Sequence, residues 1–182
     1  MLRSVQAFLP VAGQLGDVRD AFAAPPGRWL PEARQVGPNR WTMTVRAGQF
    51  TRAVTAQISA PWRAGDTQWR SLSWDPIADE DAALPVERFL PSLDGELGLN
   101  FADDRATLVV DARYRPPGGP AGAALDSVVL HRVAQRTLER LLADIAARLT
   151  AEALLVVPGD VLVPHADETS GEDTAPTSGE HA

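Results

Sequence analysis

Few side chains in this sequence are equipped for chemistry, and their spacing decides how they read. The three histidines are His131, His165 and His181, and there is no cysteine. No two histidines share a helix face and no thiolate is on hand, so no metal site is expected. Carboxylates gather as Asp79-Glu80-Asp81 and Asp103-Asp104 in turn-like stretches, a placement that points to solvation before acid catalysis. No G-x-S-x-G elbow offers a nucleophile. Gly118-Gly119-Pro120-Ala121-Gly122 has the glycine content of a phosphate cradle. It lacks the G-x-G-x-x-G spacing and the lysine of a P-loop, since the chain contains no lysine at all. The glycines therefore read as a turn, and no cofactor is expected. Tyr114 is the best polar candidate. A phenol on the apolar face of a strand needs a partner for its hydroxyl, and either backbone near Pro116 or a bound molecule could supply it. His131 and Arg46 are weaker candidates, and no catalytic residue is assigned.

The elements that must position these groups show in the periodicity. Arg105 to Tyr114 alternates, with Leu108, Val110, Ala112 and Tyr114 on one face, and Thr107, Asp111 and Arg113 on the other; Val109 is an apolar intruder among the polar ones. Pro116 and Pro117 end this strand. A helix is expected from about Gly119 to Glu152. Asp126 suits its first turn, and Leu125, Val129, Val133, Leu141, Leu142, Ile145 and Leu149 form an apolar stripe. Earlier, Ser4 to Leu9 reads as a strand stopped by Pro10, Gly13 to Phe22 as a short helix, and Arg28 to Pro31 as a further helical turn. From Ala33 the period is two. Strands are expected at Ala33–Val36, Arg40–Ala47, Thr51–Ala60, Thr67–Trp74 and Ser92–Phe101, joined mostly by short turns as an antiparallel meander. Residues 75 to 91 interrupt that rhythm as one long connection. Gly95 permits a bend or bulge in the strand around it.

Composition narrows the classes of function. At 182 residues the chain suits one domain with a single core. Five of the 24 acids and none of the 17 arginines lie in residues 165–182, leaving 17 arginines against 19 acids elsewhere. A near-neutral folded part has no basic footprint for nucleic acid, so none is expected as a partner. No run approaches the roughly 20 apolar residues of a membrane span. The N-terminal residues resemble a signal peptide only weakly, because Gln6, Gln14, Asp17, Arg19 and Asp20 interrupt the pattern, and a cytoplasmic location is expected. Residues 156–182 are expected to form a short apolar extension and a disordered acidic tail, beyond a domain over residues 1–155.

Residues 92 to 149 resemble a bacterial SRPBCC pattern: Gly95-Glu96-Leu97, Thr107, Tyr114, Pro116, Pro117, Gly119, Gly122 and Asp126, leading into the long helix. The order of elements over residues 2 to about 155 is similar to the same superfamily, also called START-like, more loosely. That superfamily includes lipid-transfer domains, plant pollen-allergen-like carriers and bacterial polyketide cyclases. The resemblance implies an α+β helix-grip fold. A curved seven-stranded antiparallel sheet would wrap one long C-terminal helix, with two short helices after the first strand and an apolar cavity between helix and sheet. Its motif specifies shape better than chemistry. The functional expectation is the binding of a small hydrophobic molecule, a lipid, polyketide or similar, in a chamber lined by Trp41, Trp74, Leu97, Phe101, Tyr114 and Val133. The alternatives are a cyclase- or dehydratase-like enzyme and a protein-interaction module.

Overall fold

Alternating apolar residues cannot bury their common face alone, and the strands of this chain do so by joining one antiparallel sheet closed over a helix. The computed structural model describes residues 2–47, 50–77, 90–115 and 127–155. The elements run β1 (Arg3–Val11), α1 (Leu15–Ala23), a 3-10 turn (Pro26–Arg28), β2 (Arg34–Gly37), β3 (Arg40–Ala47), β4 (Phe50–Ile58), β5 (Trp62–Ala64), β6 (Thr67–Pro76), β7 (Ser92–Ala102), β8 (Arg105–Arg115) and α2 (Ser127–Leu155). The glycine turn at 118–122, most of the long connection and the acidic tail lie outside the described residues.

Seven strands follow the path β1-β8-β7-β6-β4-β3-β2, and the three-residue β5 pairs beside β6 off this path. The expected meander is therefore present, with the first strand laid against the last. Two prolines sit inside strands where the sequence marked ends. Pro10 is paired with Thr107 within β1, and Pro76 with Val54 at the end of β6. β1 is an edge strand, which tolerates a missing N–H, and Pro76 stands at a strand terminus. Asp103 and Asp104 both take positive φ, 50° and 55°, the pair of left-handed residues that a two-residue hairpin between β7 and β8 requires. β7 carries no bulge at Gly95, since the β7–β8 register is unbroken from Ser92↔Arg115 to Ala102↔Arg105. A Cβ on Gly95 would collide with the Asp111 carbonyl oxygen and the Ala112 backbone, so no other residue allows the strands to come this close.

The helix α2 buries Ala134, Leu138, Leu141, Leu142, Ile145, Leu149 and Ala153. Its main close approaches are to β1, α1, β3 and β8, that is, to both flanks of the curved sheet. Two polar side chains fasten it along β1: Gln135 Nε2 donates to the Gln6 carbonyl at 3.1 Å, and Thr150 Oγ1 to the Ala12 carbonyl at 3.0 Å. Arg28 reaches Glu152 at 2.9 Å from the 3-10 turn. Burial of the leucine stripe should dominate the helix's contribution to stability. Leu141→Ala is expected to cost about 2–5 kcal/mol in urea denaturation. Arg148→Ala, on the exposed face, should stay within about 0.5 kcal/mol.

Candidate ligand chamber between sheet and helix

Strand register sorts the inner-face side chains into rows, a level of order that alternation alone does not contain. One row crosses five strands: Tyr114, Leu93, Trp74, Ala56 and Trp41 are successive cross-strand partners. All five are buried, Tyr114 and Ala56 completely. The next row holds Ala112, Gly95, Leu72 and Ile58, and the one after it Val110, Leu97 and Arg70. Three of the six chamber residues expected from sequence, Trp41, Trp74 and Tyr114, therefore share a single row, and Leu97 lies two rows along. Val133 is half-buried on α2. Phe101 is at the far end of β7, eight residues from Leu93, which corresponds to about 27 Å of extended strand. There it is half-buried under the guanidinium of Arg19, which stands 4.6 Å from the ring centroid. Trp41 closes the other end of its row, against Gly27 of the 3-10 turn.

The polar atoms along the Tyr114 row differ in their partners. Trp74 Nε1 donates to the Pro91 carbonyl at 3.1 Å. Tyr114 Oη is buried and has no hydrogen-bond partner among the described residues, and the same holds for Thr137 Oγ1 on the buried face of α2. Leaving a buried hydroxyl unpaired costs about 1–3 kcal/mol, so two such groups between sheet and helix require a reason. The ring of His131 is tilted against that of Tyr114 at a centroid distance of 6.4 Å, while His131 itself is exposed. Arg46 is exposed on the opposite face of β3 and does not converge with them. Among the described residues no group of three His, Cys, Asp or Glu side chains could hold a metal ion.

Arg70 is the buried charge that sequence reasoning passed over, 3% exposed beside Leu97 on the inner face. Its guanidinium donates to the carbonyls of Phe22, Ala23 and Ala24 at 2.9–3.1 Å, the last turn of α1, and to that of Ser59 at 2.9 Å. It also stands 5.5 Å and 5.4 Å from the ring centroids of Phe22 and Trp29. Desolvation lowers its pKa to about 10, which still leaves a cation at neutral pH. The helix C-terminus supplies the compensating negative partial charge, and the two rings the rest. A signal for this was present in β6, where Arg70 occupies an inward position in the alternation that Leu72 and Trp74 continue. Thr137 likewise interrupts an otherwise apolar helix stripe. Arg70→Met should take the Arg70 donor from the Phe22, Ala23 and Ser59 carbonyls, while Ala24 keeps that of Trp29 Nε1, and lower stability by about 3–5 kcal/mol. Arg70→Lys, with three donors and no planar fork, should recover only part of that in the same denaturation measurement.

No sequence-family profile matches the chain, and no curated protein matches it. Solved structures do. The chain is similar to the Zhui aromatase/cyclase from Streptomyces sp. R1128 at 12% identity and a TM-score of 0.53, over 85% of this chain and 94% of that one. It is similar to TTHA0849 from Thermus thermophilus at 16% identity and a TM-score of 0.53, over 82% and 98%. A truncated norcoclaurine synthase from Thalictrum flavum matches at 10% identity and a TM-score of 0.51, over 86% and 94%. With its long helix held by an antiparallel sheet, the chain has the helix-grip fold that it shares with these structures. No helix among the described residues is long and apolar enough to cross a membrane.

Proposed function

We propose that this protein binds a small hydrophobic molecule carrying at least one hydrogen-bonding polar group, between the inner sheet face and α2. Tyr114, Trp74, Leu97 and Val133 form the wall of the binding region, Trp41 closes the row, and Phe101 bounds its far end. The observation that carries this reading is the buried Tyr114 hydroxyl, which has no partner among the described residues. A ligand's carbonyl, carboxylate or hydroxyl oxygen would accept its proton, and the apolar remainder would pack against tryptophan and leucine. Thr137, also buried and unpartnered, offers a second polar contact from the helix side. The helix-grip fold supports the same reading, because β1, β8 and β3 hold α2 at the sheet's flanks and leave the central strands β6 and β7 farther from the helix. A cyclase-type reaction is the second reading. It is favoured by the approach of His131 to Tyr114, which would put an imidazole near a phenol that touches the ligand.

Titration with a naphthalene sulfonate or a long-chain fatty acid, followed by tryptophan emission, tests the proposal. Saturable quenching is expected in the wild type and should vanish in Leu97→Trp with folding retained. Tyr114→Phe separates the hydroxyl's role from its cost. Removing an unsatisfied buried donor should leave stability unchanged or raise it by about 1 kcal/mol, while fatty-acid affinity falls roughly tenfold. Equal binding by wild type and Leu97→Trp, or none by either, would overturn the reading.

A further inference from the structure

The outer face of the sheet should be a solvated, polar surface, and across most of its area it is. Register makes one exception. Phe8, Val109, Gly98, Trp69 and Trp62 are successive cross-strand partners on β1, β8, β7, β6 and β5. The ring of Trp69 lies across Gly98, where a Cβ would meet its Cζ3 at 2.6 Å, so the row is continuous rather than broken at the glycine. Phe8 is 63% exposed and Trp62 37% exposed. Four strand spacings give an apolar band about 19 Å long that reaches the free edge of the sheet.

The flanks of this band are unlike. On one side the neighbouring row is Pro10, Thr107, Asn100 and Thr67, all uncharged, with Asn100 Nδ2 donating to Thr67 Oγ1 at 2.8 Å. On the other side is an open depression of about 380 Å³ beside Gly95, lined by Ser71, Asp94, Glu96, Asp111 and Arg113. Three carboxylates face one guanidinium there, and among the described residues no ion pair joins them. Glu96 and Asp111 are direct cross-strand partners, an arrangement of like charges that weakens a sheet. Arg113 stands in the same depression without an ion pair to them among the described residues, and Gln6 Nε2 donates to Asp111 Oδ2 at 3.1 Å.

We propose that this face docks a basic amphipathic helix of a partner protein. Its apolar ridge would lie along the Phe8–Trp62 band, and its arginines or lysines, on one side of the ridge, would enter the depression beside Glu96 and Asp111. About 19 Å corresponds to 12–13 helical residues, enough for anchors at i, i+3 or i+4, and i+7. The one-sided charge sets the orientation of the helix on the band, and the three carboxylates, which outnumber Arg113, gain further cations. A second copy of this chain fits less well. Leu138, Leu141, Leu142 and Leu149 of α2 are buried, and its exposed Leu154 and Leu155 stand together at the last two positions of the helix, which gives no set of anchors at i, i+3 or i+4, and i+7. An anionic membrane surface would be repelled by the same carboxylates.

The test uses the full chain and a synthetic 14-residue helical peptide with leucines at i, i+3, i+7 and i+10 and arginines along one flank. Its controls are a peptide with glutamate replacing each arginine and a scrambled one of identical composition. Fluorescence anisotropy should show saturable, salt-sensitive binding of the arginine peptide alone. Phe8→Ser combined with Trp62→Ser, and separately Glu96→Gln combined with Asp111→Asn, should each weaken it about tenfold or more. The second pair should also raise the unfolding midpoint, by relieving the like-charge contact. Equal binding of the scrambled or glutamate peptide, or variants that bind like the wild type, would overturn the proposal. So would light scattering showing a dimer that the Phe8 and Trp62 changes dissociate, or binding to anionic phosphatidylserine vesicles in place of the peptide. None of these readouts depends on the interior binding region.

Discussion

A buried guanidinium holds the two layers of this protein in register. Arg70 projects from β6 into the core and binds the terminal carbonyls of α1 and the loop carbonyl of Ser59, with Phe22 and Trp29 beside its plane. No carboxylate among the described residues shares the work. A lone buried cation is tolerable because backbone carbonyls at a helix C-terminus are an oriented array of negative partial charge that needs no reorganisation to receive it. The carbonyls of Phe22 and Ala23 would otherwise lack this donor where α1 ends against the sheet, so one side chain resolves two problems. Consequences spread from there. With α1 fixed, Trp29 Nε1 can reach the Ala24 carbonyl at 3.1 Å, the 3-10 turn can cover Trp41, and Arg28 can meet Glu152 on α2.

Much of the fold was legible in the sequence because one-dimensional periodicity reports which face a residue occupies. The alternation in β8, the leucine stripe of α2 and the turn at Asp103-Asp104 all translate directly into observed elements. What periodicity omits is the position of a residue along its strand relative to neighbours brought in from elsewhere. Trp41, Trp74 and Tyr114 share a row, and Phe101 does not, because register is settled by pairings tens of residues apart. Pro10 and Pro76 show a related limit: whether a missing N–H matters depends on which strand ends up at an edge. β5 is too short to carry any period. Arg70 was readable in principle, since a charge at an inward position demands buried partners, but the partners themselves belong to α1 and the loop after β4.

One glycine shapes both faces of the sheet. The missing Cβ at Gly95 lets β7 and β8 approach closely, and Gly95 also lines the outer depression that gathers Asp94, Glu96 and Arg113. Gly98, three residues further on, is occupied by the Trp69 ring instead of by a side chain of its own. The two glycines of β7 therefore divide their tasks, the first permitting the close approach of strands and the second making room for an aromatic surface. The structure gives the sheet two distinct faces, an interior one lined by tryptophan and tyrosine and an exterior one defined by register alone.

The pairing of β1 with β8 has a consequence for how the protein comes into being. Arg3 meets Tyr114 and Val11 meets Ala106, so the first strand made finds its partner only after roughly a hundred further residues have been synthesised. The helix that covers β1 comes later still. During translation the N-terminal strand must wait with Val5, Ala7 and Val11 uncovered, while the hairpins of the meander can form in sequence behind it. Closure is then a late, long-range event whose rate is governed by the entropy of bringing the chain's two ends together. Substitutions in β1 should on this view act chiefly on the speed of completion and on losses to aggregation before it, more than on the meander already assembled.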